Sequence, residues 1–115
     1  MKFLLVEDSP NIRSMVRRWV MQQFSPIEAI YECSDGLSAV DLYRKFQPDW
    51  VLMDIKLPEM DGLKATKQIT ETHPAARVII LTQYNDAVYR DAATSAGAYG
   101  YVLKEHLEHL NTLIK

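Results

Sequence analysis

Trp50-Val51-Leu52-Met53-Asp54-Ile55-Lys56-Leu57-Pro58-Glu59-Met60-Asp61-Gly62 is the stretch on which the fold turns. Four apolar residues end at an acid, and a loop with a proline and an Asp-Gly pair follows. A short apolar run bounded by loop residues reads as a buried strand. Three other runs end the same way. Phe3-Leu4-Leu5-Val6 ends at Glu7-Asp8, Val78-Ile79-Ile80-Leu81 at Thr82, and Tyr101-Val102-Leu103 at Lys104. If these runs are neighbouring parallel strands, three carboxylates, a hydroxyl and an ammonium gather on one rim.

Helical patterns fall between the strands. Lys2 to Val6 is the first strand, and Ser9 caps a helix with Pro10 at its first position. Ile12, Met15, Val16, Trp19 and Val20 form its apolar stripe. Ile27 to Tyr31 reads as strand two, with Glu28 and Glu32 turned away from its apolar side. Asp35-Gly36 starts helix two, which Pro48 stops. Asp61-Gly62 starts helix three, ending near His73-Pro74. Asp-Gly often marks a hairpin, but both pairs here precede helical periodicity. Asp86 reads as the cap of a short alanine-rich helix four ending at Gly97. Strand five runs from Tyr99 to Leu103, and Leu107, Leu110 and Ile114 mark helix five.

Five strand–helix units predict an α/β, doubly wound, flavodoxin-like (βα)5 domain with a parallel five-stranded sheet. Strands one, three and four are almost wholly apolar and read as central. Strands two and five read as edges. Right-handed crossovers then give the order 2-1-3-4-5. In such sheets a ligand binds at the carboxyl ends of strands one and three, where the winding reverses. Glu7-Asp8 and Asp54 stand at those two ends.

The bulk properties agree with one soluble domain spanning residues 1–115. The apolar fraction of 48% and charged fraction of 24% are ordinary for such a chain. A formal net charge of -2 gives no general reason to bind nucleic acid or an anionic membrane. Cys33 is the only cysteine, which excludes an internal disulfide. No apolar run reaches the ~18 residues needed to span a bilayer, and no secretory signal is present. The chain reads as cytoplasmic.

Two carboxylates ~4 Å apart repel by roughly 4 kcal/mol at an effective dielectric of ~20. Three together call for a proton or a cation. Hard oxygen ligands with room for water suit Mg2+. His73, His106 and His109 lie away from the strand ends and read as surface residues, so no zinc site is expected. Mg2+ beside an exposed carboxylate suits phosphoryl transfer onto that carboxylate, with Lys104 as a second positive group.

Taken together, Leu4-Leu5-Val6-Glu7-Asp8, Asp54-Ile55-Lys56-Leu57-Pro58 through Asp61-Gly62, Leu81-Thr82, and Ala96 through Lys104 resemble the receiver (CheY-like) domain of two-component response regulators. The last segment is most like receivers attached to helix-turn-helix transcription factors. The resemblance covers essentially the whole chain. It implies that Asp54 is the phosphoacceptor. Asp8, Asp54 and the backbone carbonyl of Lys56 would bind Mg2+ directly, and Glu7 through a water. Thr82 and Lys104 would hold the phosphoryl group, and Tyr101 would be the switch aromatic. The donor would be a phosphohistidine on a sensor histidine kinase or phosphotransfer protein. Output would be a shift of the helix four, strand five and helix five face, with homodimerisation on phosphorylation as one form of it. The domain would be no enzyme beyond its own phosphorylation and dephosphorylation, would not itself bind nucleic acid or membrane, and would act in transcription regulation through an output unit.

The sequence departs from the family pattern in three places. Glu7 replaces the commoner aspartate, Gln83 stands where a small residue is common, and Glu105 stands where many members carry a proline on a cis bond. Without proline, a cis bond would cost about 3–4 kcal/mol. Arg13, Arg17 and Arg18 form the polar side of helix one and read either as a solvated face or as a kinase-docking surface. Two other functions compete. A Mg2+-dependent aspartyl-phosphate phosphatase resembling the haloacid-dehalogenase enzymes would need Asp-x-Asp, and position 56 is Lys. A degenerate receiver acting only as a binding module would lack the acidic constellation. A single-domain regulator and the front of a longer one fit the sequence equally.

Overall fold

The computed structural model describes residues 1–114. Its five strands are β1 (Lys2–Val6), β2 (Ala29–Cys33), β3 (Trp50–Met53), β4 (Val78–Thr82) and β5 (Gly100–Leu103). They form one sheet in the order β2-β1-β3-β4-β5, with every neighbouring pair parallel. The helices are α1 (Pro10–Gln23), α2 (Gly36–Phe46), α3 (Gly62–Thr72), α4 (Ala87–Ser95) and α5 (Leu110–Leu113). The expected doubly wound architecture is therefore present.

Both faces of the sheet are buried because successive residues of a strand point to opposite sides. Leu4, Val6, Val51, Met53 and Ile80 pack under α2 and α3 with Ala39, Tyr43, Ala65 and Ile69. Phe3, Leu5, Trp50, Leu52, Ile79 and Leu81 pack on the other side with Val16 and Val20 of α1 and Leu110 of α5. Strands covered on both faces have no polar alternation, which is why β3 and β4 read as continuous apolar runs.

The helix starts follow local chemistry. Ser9 Oγ accepts from Ile12 N at 3.4 Å, Asp35 Oδ1 from Ser38 N at 2.7 Å, and Asp61 Oδ1 from Lys64 N at 3.0 Å. These caps satisfy amides that have no partner within the helix. Asp86, expected to do the same for α4, makes no side-chain cap bond. Gly97 has φ +89, the left-handed backbone that ends a helix.

Several elements differ from the sequence reading, among them strand five, which begins at Gly100 rather than Tyr99, and strand four, which ends at Thr82 rather than Leu81. Strand two begins at Ala29 rather than Ile27, because its register on β1 pairs Ala29 with Lys2 and Cys33 with Val6. Met15, placed on the apolar stripe of helix one, is 40% exposed. Helix five is preceded by a 3-10 segment, Lys104–His109, and its α-helical part is only Leu110–Leu113. Within that segment His106 leaves helical geometry, at φ -131 and ψ 55. Among the described residues the one cis peptide is Ser25–Pro26, so Lys104–Glu105 is trans.

Candidate functional site

Parallel strands in register carry their carboxyl ends to one rim. Val6 of β1 pairs with Met53 of β3, so Glu7 and Asp54, the next residues, leave the sheet side by side. Asp54 N donates to Val6 O at 3.1 Å and Glu7 N to Cys33 O at 3.1 Å, extending the ladder one step past the strands. Thr82 is the last residue of β4, paired with Leu103, and Lys104 follows directly.

Glu7 and Asp54 are buried, at 6% and 7% exposure, while Asp8 is exposed. The three carboxylates each bring an oxygen within 4.8 Å of the others. Lys104 Nζ stands 2.9 Å from Asp54 Oδ2 and 2.6 Å from Glu7 Oε1. Its approach to Glu7 Oε1 is close in charge but misaligned as a hydrogen bond, so that buried oxygen has no aligned donor. Glu7 Oε2 accepts from Ser9 N at 3.1 Å, and Asp54 Oδ1 from Ile55 N at 2.8 Å.

The electrostatics follow from this packing. Burial opposes the charge on Lys104, but its bonds to Glu7 and Asp54 and their coulombic pull outweigh burial and hold the ammonium above the ordinary lysine range. Asp8 is raised above the usual aspartate value, first by its hydrogen bond with Glu7 and then by partial burial and repulsion from Glu7. The crowding of carboxylates that raises Asp8 is what a bound cation would relieve. The donor set is wholly carboxylate oxygen, and one buried oxygen faces the cluster without an aligned donor. Such residues fit a hard cation such as Mg2+.

An open depression of about 230 Å3 is lined by Glu7, Asp8, Asp54, Lys56, Gln83, Tyr84 and Lys104 among others. Thr82 lies under it, with no exposed surface, and its Oγ1 accepts from Tyr84 N at 3.3 Å. The loop after Asp54 is pinned by Gly62 N to Ile55 O at 2.8 Å and Gly36 N to Met60 O at 3.1 Å. A Cβ on Gly62 would collide with the Asp54 carbonyl oxygen. Glycine at 62 is therefore a packing requirement of the acid's own backbone.

Tyr101 is half-buried on β5 and donates its hydroxyl to Tyr84 O at 2.6 Å. The Arg90 guanidinium lies 4.5 Å from the Tyr101 ring centre and is itself bonded to Asn85 Oδ1 at 2.8 and 3.0 Å. Lys56 Nζ sits over Tyr89 and Tyr84, at 5.3 and 5.9 Å. Tyr84, Tyr89, Arg90 and Asn85 were not among the expected site residues. Nothing in their local sequence marks them, since Tyr84 and Arg90 meet Tyr101 of β5, and Tyr84 and Tyr89 meet Lys56 of the loop after β3.

Arg13 and Arg17 have structural partners. Arg13 donates to Glu7 O at 2.6 Å and pairs with Glu32 at 3.3 Å, and Arg17 pairs with Glu32 at 3.0 Å. They tie α1 to β2, which favours neither the plain solvated face nor a free docking face. Arg18 is exposed. His106 and His109 are exposed, and His73 is half-buried, edge-on to Tyr43 with ring centres 5.1 Å apart.

Residues 3–115 match the sequence model of the response regulator receiver domain. The chain is 36% identical over 105 residues to the uncharacterized transcriptional regulatory protein YhcZ of Bacillus subtilis, covering 91% of this chain and 49% of that protein. It is 37% identical over 101 residues to the chemotaxis protein CheY of Halobacterium salinarum, covering 88% and 82% respectively. A solved LuxR-family two-component response regulator from Aurantimonas sp. SI85-9A1 superimposes with a TM-score of 0.88 at 33% identity, over 96% of this chain and 82% of that one. The chain thus spans about half the length of the transcriptional regulatory relatives and most of the chemotaxis ones.

Proposed function

Because the chain belongs to the response regulator receiver family, we propose that it is a phosphorelay switch in which Asp54 takes a phosphoryl group from a partner's phosphohistidine. The observation that carries this reading is Asp54 itself: a carboxylate at the switch point of the sheet, beside two further acids and a lysine 2.9 Å away. An Asp54 oxygen forms the new P–O bond as the P–N bond of the donor breaks, and the released imidazole takes up a proton. Mg2+, when bound, neutralises charge on the phosphoryl oxygens. Asp8, Asp54 and the Lys56 carbonyl would hold it, with Glu7 supporting it through a water. Lys104 exchanges its Asp54 partner for a phosphoryl oxygen, and Thr82 supplies a hydroxyl once its loop moves.

The phosphoryl group adds a charge of about -1.5 to -2, which draws Thr82 and Lys104 toward position 54. Tyr84 is two residues beyond Thr82 and accepts the Tyr101 hydroxyl, so movement of that loop reaches the aromatic directly. Helix α4 buries only Ala93 fully, and few buried contacts mean a low cost of rearrangement. The α4–β5–α5 face is thus the output surface, acting on a second copy or an output unit in the cytoplasm. Residues 1–115 work as one receiver unit, self-modifying rather than turning over a substrate.

Intact mass after incubation with acetyl phosphate tests the reading. The wild type gains one phosphoryl group, dependent on Mg2+, and Asp54→Asn gains none. An equal gain in Asp54→Asn sinks the assignment, and steady phosphomonoester turnover sinks the switch in favour of a phosphatase.

A further inference from the structure

Outside the rim, His106, Glu108 and His109 form a second group of metal-ligating side chains. Each offers one ligand atom, and the three atoms lie within 4.8 Å of one another. His106 Nδ1 stands 3.3 Å from Glu108 Oε1, and the two imidazoles stack with ring centres 5.1 Å apart and planes 22° apart. All three lie on the segment Lys104–His109, in which the chain kinks at His106 (φ -131, ψ 55) rather than running as one regular 3-10 helix.

We propose that His106, Glu108 and His109 bind one late first-row divalent metal ion, Zn2+ or its neighbours Ni2+ and Cu2+, leaving further positions to water. Two imidazoles and a carboxylate are the donors these ions prefer, whereas the all-carboxylate rim suits Mg2+. A tetrahedral ion with bonds of ~2.0–2.1 Å sets its ligand atoms about 3.4 Å apart. His106 Nδ1 and Glu108 Oε1 already stand at that spacing, 3.3 Å, and the remaining separations, all within 4.8 Å, need close by no more than about 1.4 Å. Near-parallel rings do not aim their in-plane lone pairs at one point, so one imidazole must turn out of the stack. The side chains are free to do so: His106 and Glu108 are 47% and 64% exposed, and His109 is exposed. An ion bound there would brace the segment that begins at Lys104, two residues before His106.

Isothermal titration with ZnCl2, in buffer holding millimolar Mg2+ to occupy the rim, decides the matter. The wild type, His73→Gln and Asp8→Asn each bind one Zn2+ per chain with similar affinity. His106→Ala and His109→Ala, checked for intact fold by circular dichroism, bind at least tenfold more weakly. The proposal is overturned if the wild type binds no Zn2+, if the double variant His106→Ala/His109→Ala binds as the wild type does, or if Asp8→Asn alone abolishes binding.

Discussion

Lys104 Nζ lies 2.9 Å from Asp54 Oδ2, joining residues fifty positions apart in the sequence. The same ammonium meets Glu7 Oε1 at 2.6 Å, so one half-buried cation holds two buried acids at the sheet's rim. Removing one partner of a buried pair strands the other's charge.

Lys104→Ala should therefore lower stability by about 3 kcal/mol in Mg2+-free buffer. Added Mg2+ should restore part of the loss, because a cation can replace the ammonium among the acids. Urea unfolding with and without Mg2+ measures both. A Mg2+-independent loss would mean that the lysine acts by packing alone.

Mg2+ affinity should fall on acidification with a midpoint above the ordinary aspartate value of 3.8, because Asp8 holds its proton more tightly in the folded state. Stability of the metal-free protein runs the opposite way. Without metal, the raised value contributes stability that is full below the unfolded value and lost as pH rises through the folded one. Calorimetric Mg2+ titrations across pH 4 to 8 (about one-unit steps) read the midpoint, and Asp8→Asn should remove this dependence. A midpoint at or below the ordinary value contradicts the raised Asp8.

Tyr101→Phe keeps the ring and deletes the bond to Tyr84 O. It should cost about 1 kcal/mol, and Arg90→Ala about 0.5–1 kcal/mol from the stacked guanidinium. The two losses should not add, because both groups fix the loop after β4. A double-mutant cycle by thermal unfolding tests this, and strict additivity would show that the two contacts act separately.

Gly62→Ala should destabilise by about 2–3 kcal/mol, since its Cβ meets the Asp54 carbonyl oxygen and no side-chain rotation relieves a backbone clash. Phosphorylation at Asp54 should fall with it. Unfolding midpoint and acetyl phosphate labelling report the two effects, and a variant as stable as the wild type would disprove the close approach.

Much of this protein is legible in its sequence because the deciding signals are local. Apolar runs three or four residues long, each ending at Glu7, Asp54, Thr82 or Lys104, placed four strand ends to within one residue. Ser9, Asp35 and Asp61 marked helix starts, since capping is a bond to an amide three residues on. The order of strands followed from which runs were wholly apolar. Local signals failed where register or weak periodicity decided. Ile27 looked as much a strand residue as Ile30, and only pairing with β1 moved the strand to Ala29–Cys33. Leu107, Leu110 and Ile114 have helical spacing, but the chain there is 3-10 as far as His109.

The sequence by itself therefore determined the elements, their order in the sheet and the rim on which the acids gather, because periodicity, capping and apolar length act over a few residues. Tertiary structure alone decided what those side chains touch. It paired Lys104 with both Glu7 and Asp54, spent Arg13 and Arg17 on Glu32, buried Thr82 beneath the depression, and turned the Tyr101 hydroxyl onto Tyr84. Each of these contacts joins residues on different elements, and its geometry depends on strand register and helix packing that no short stretch of sequence encodes.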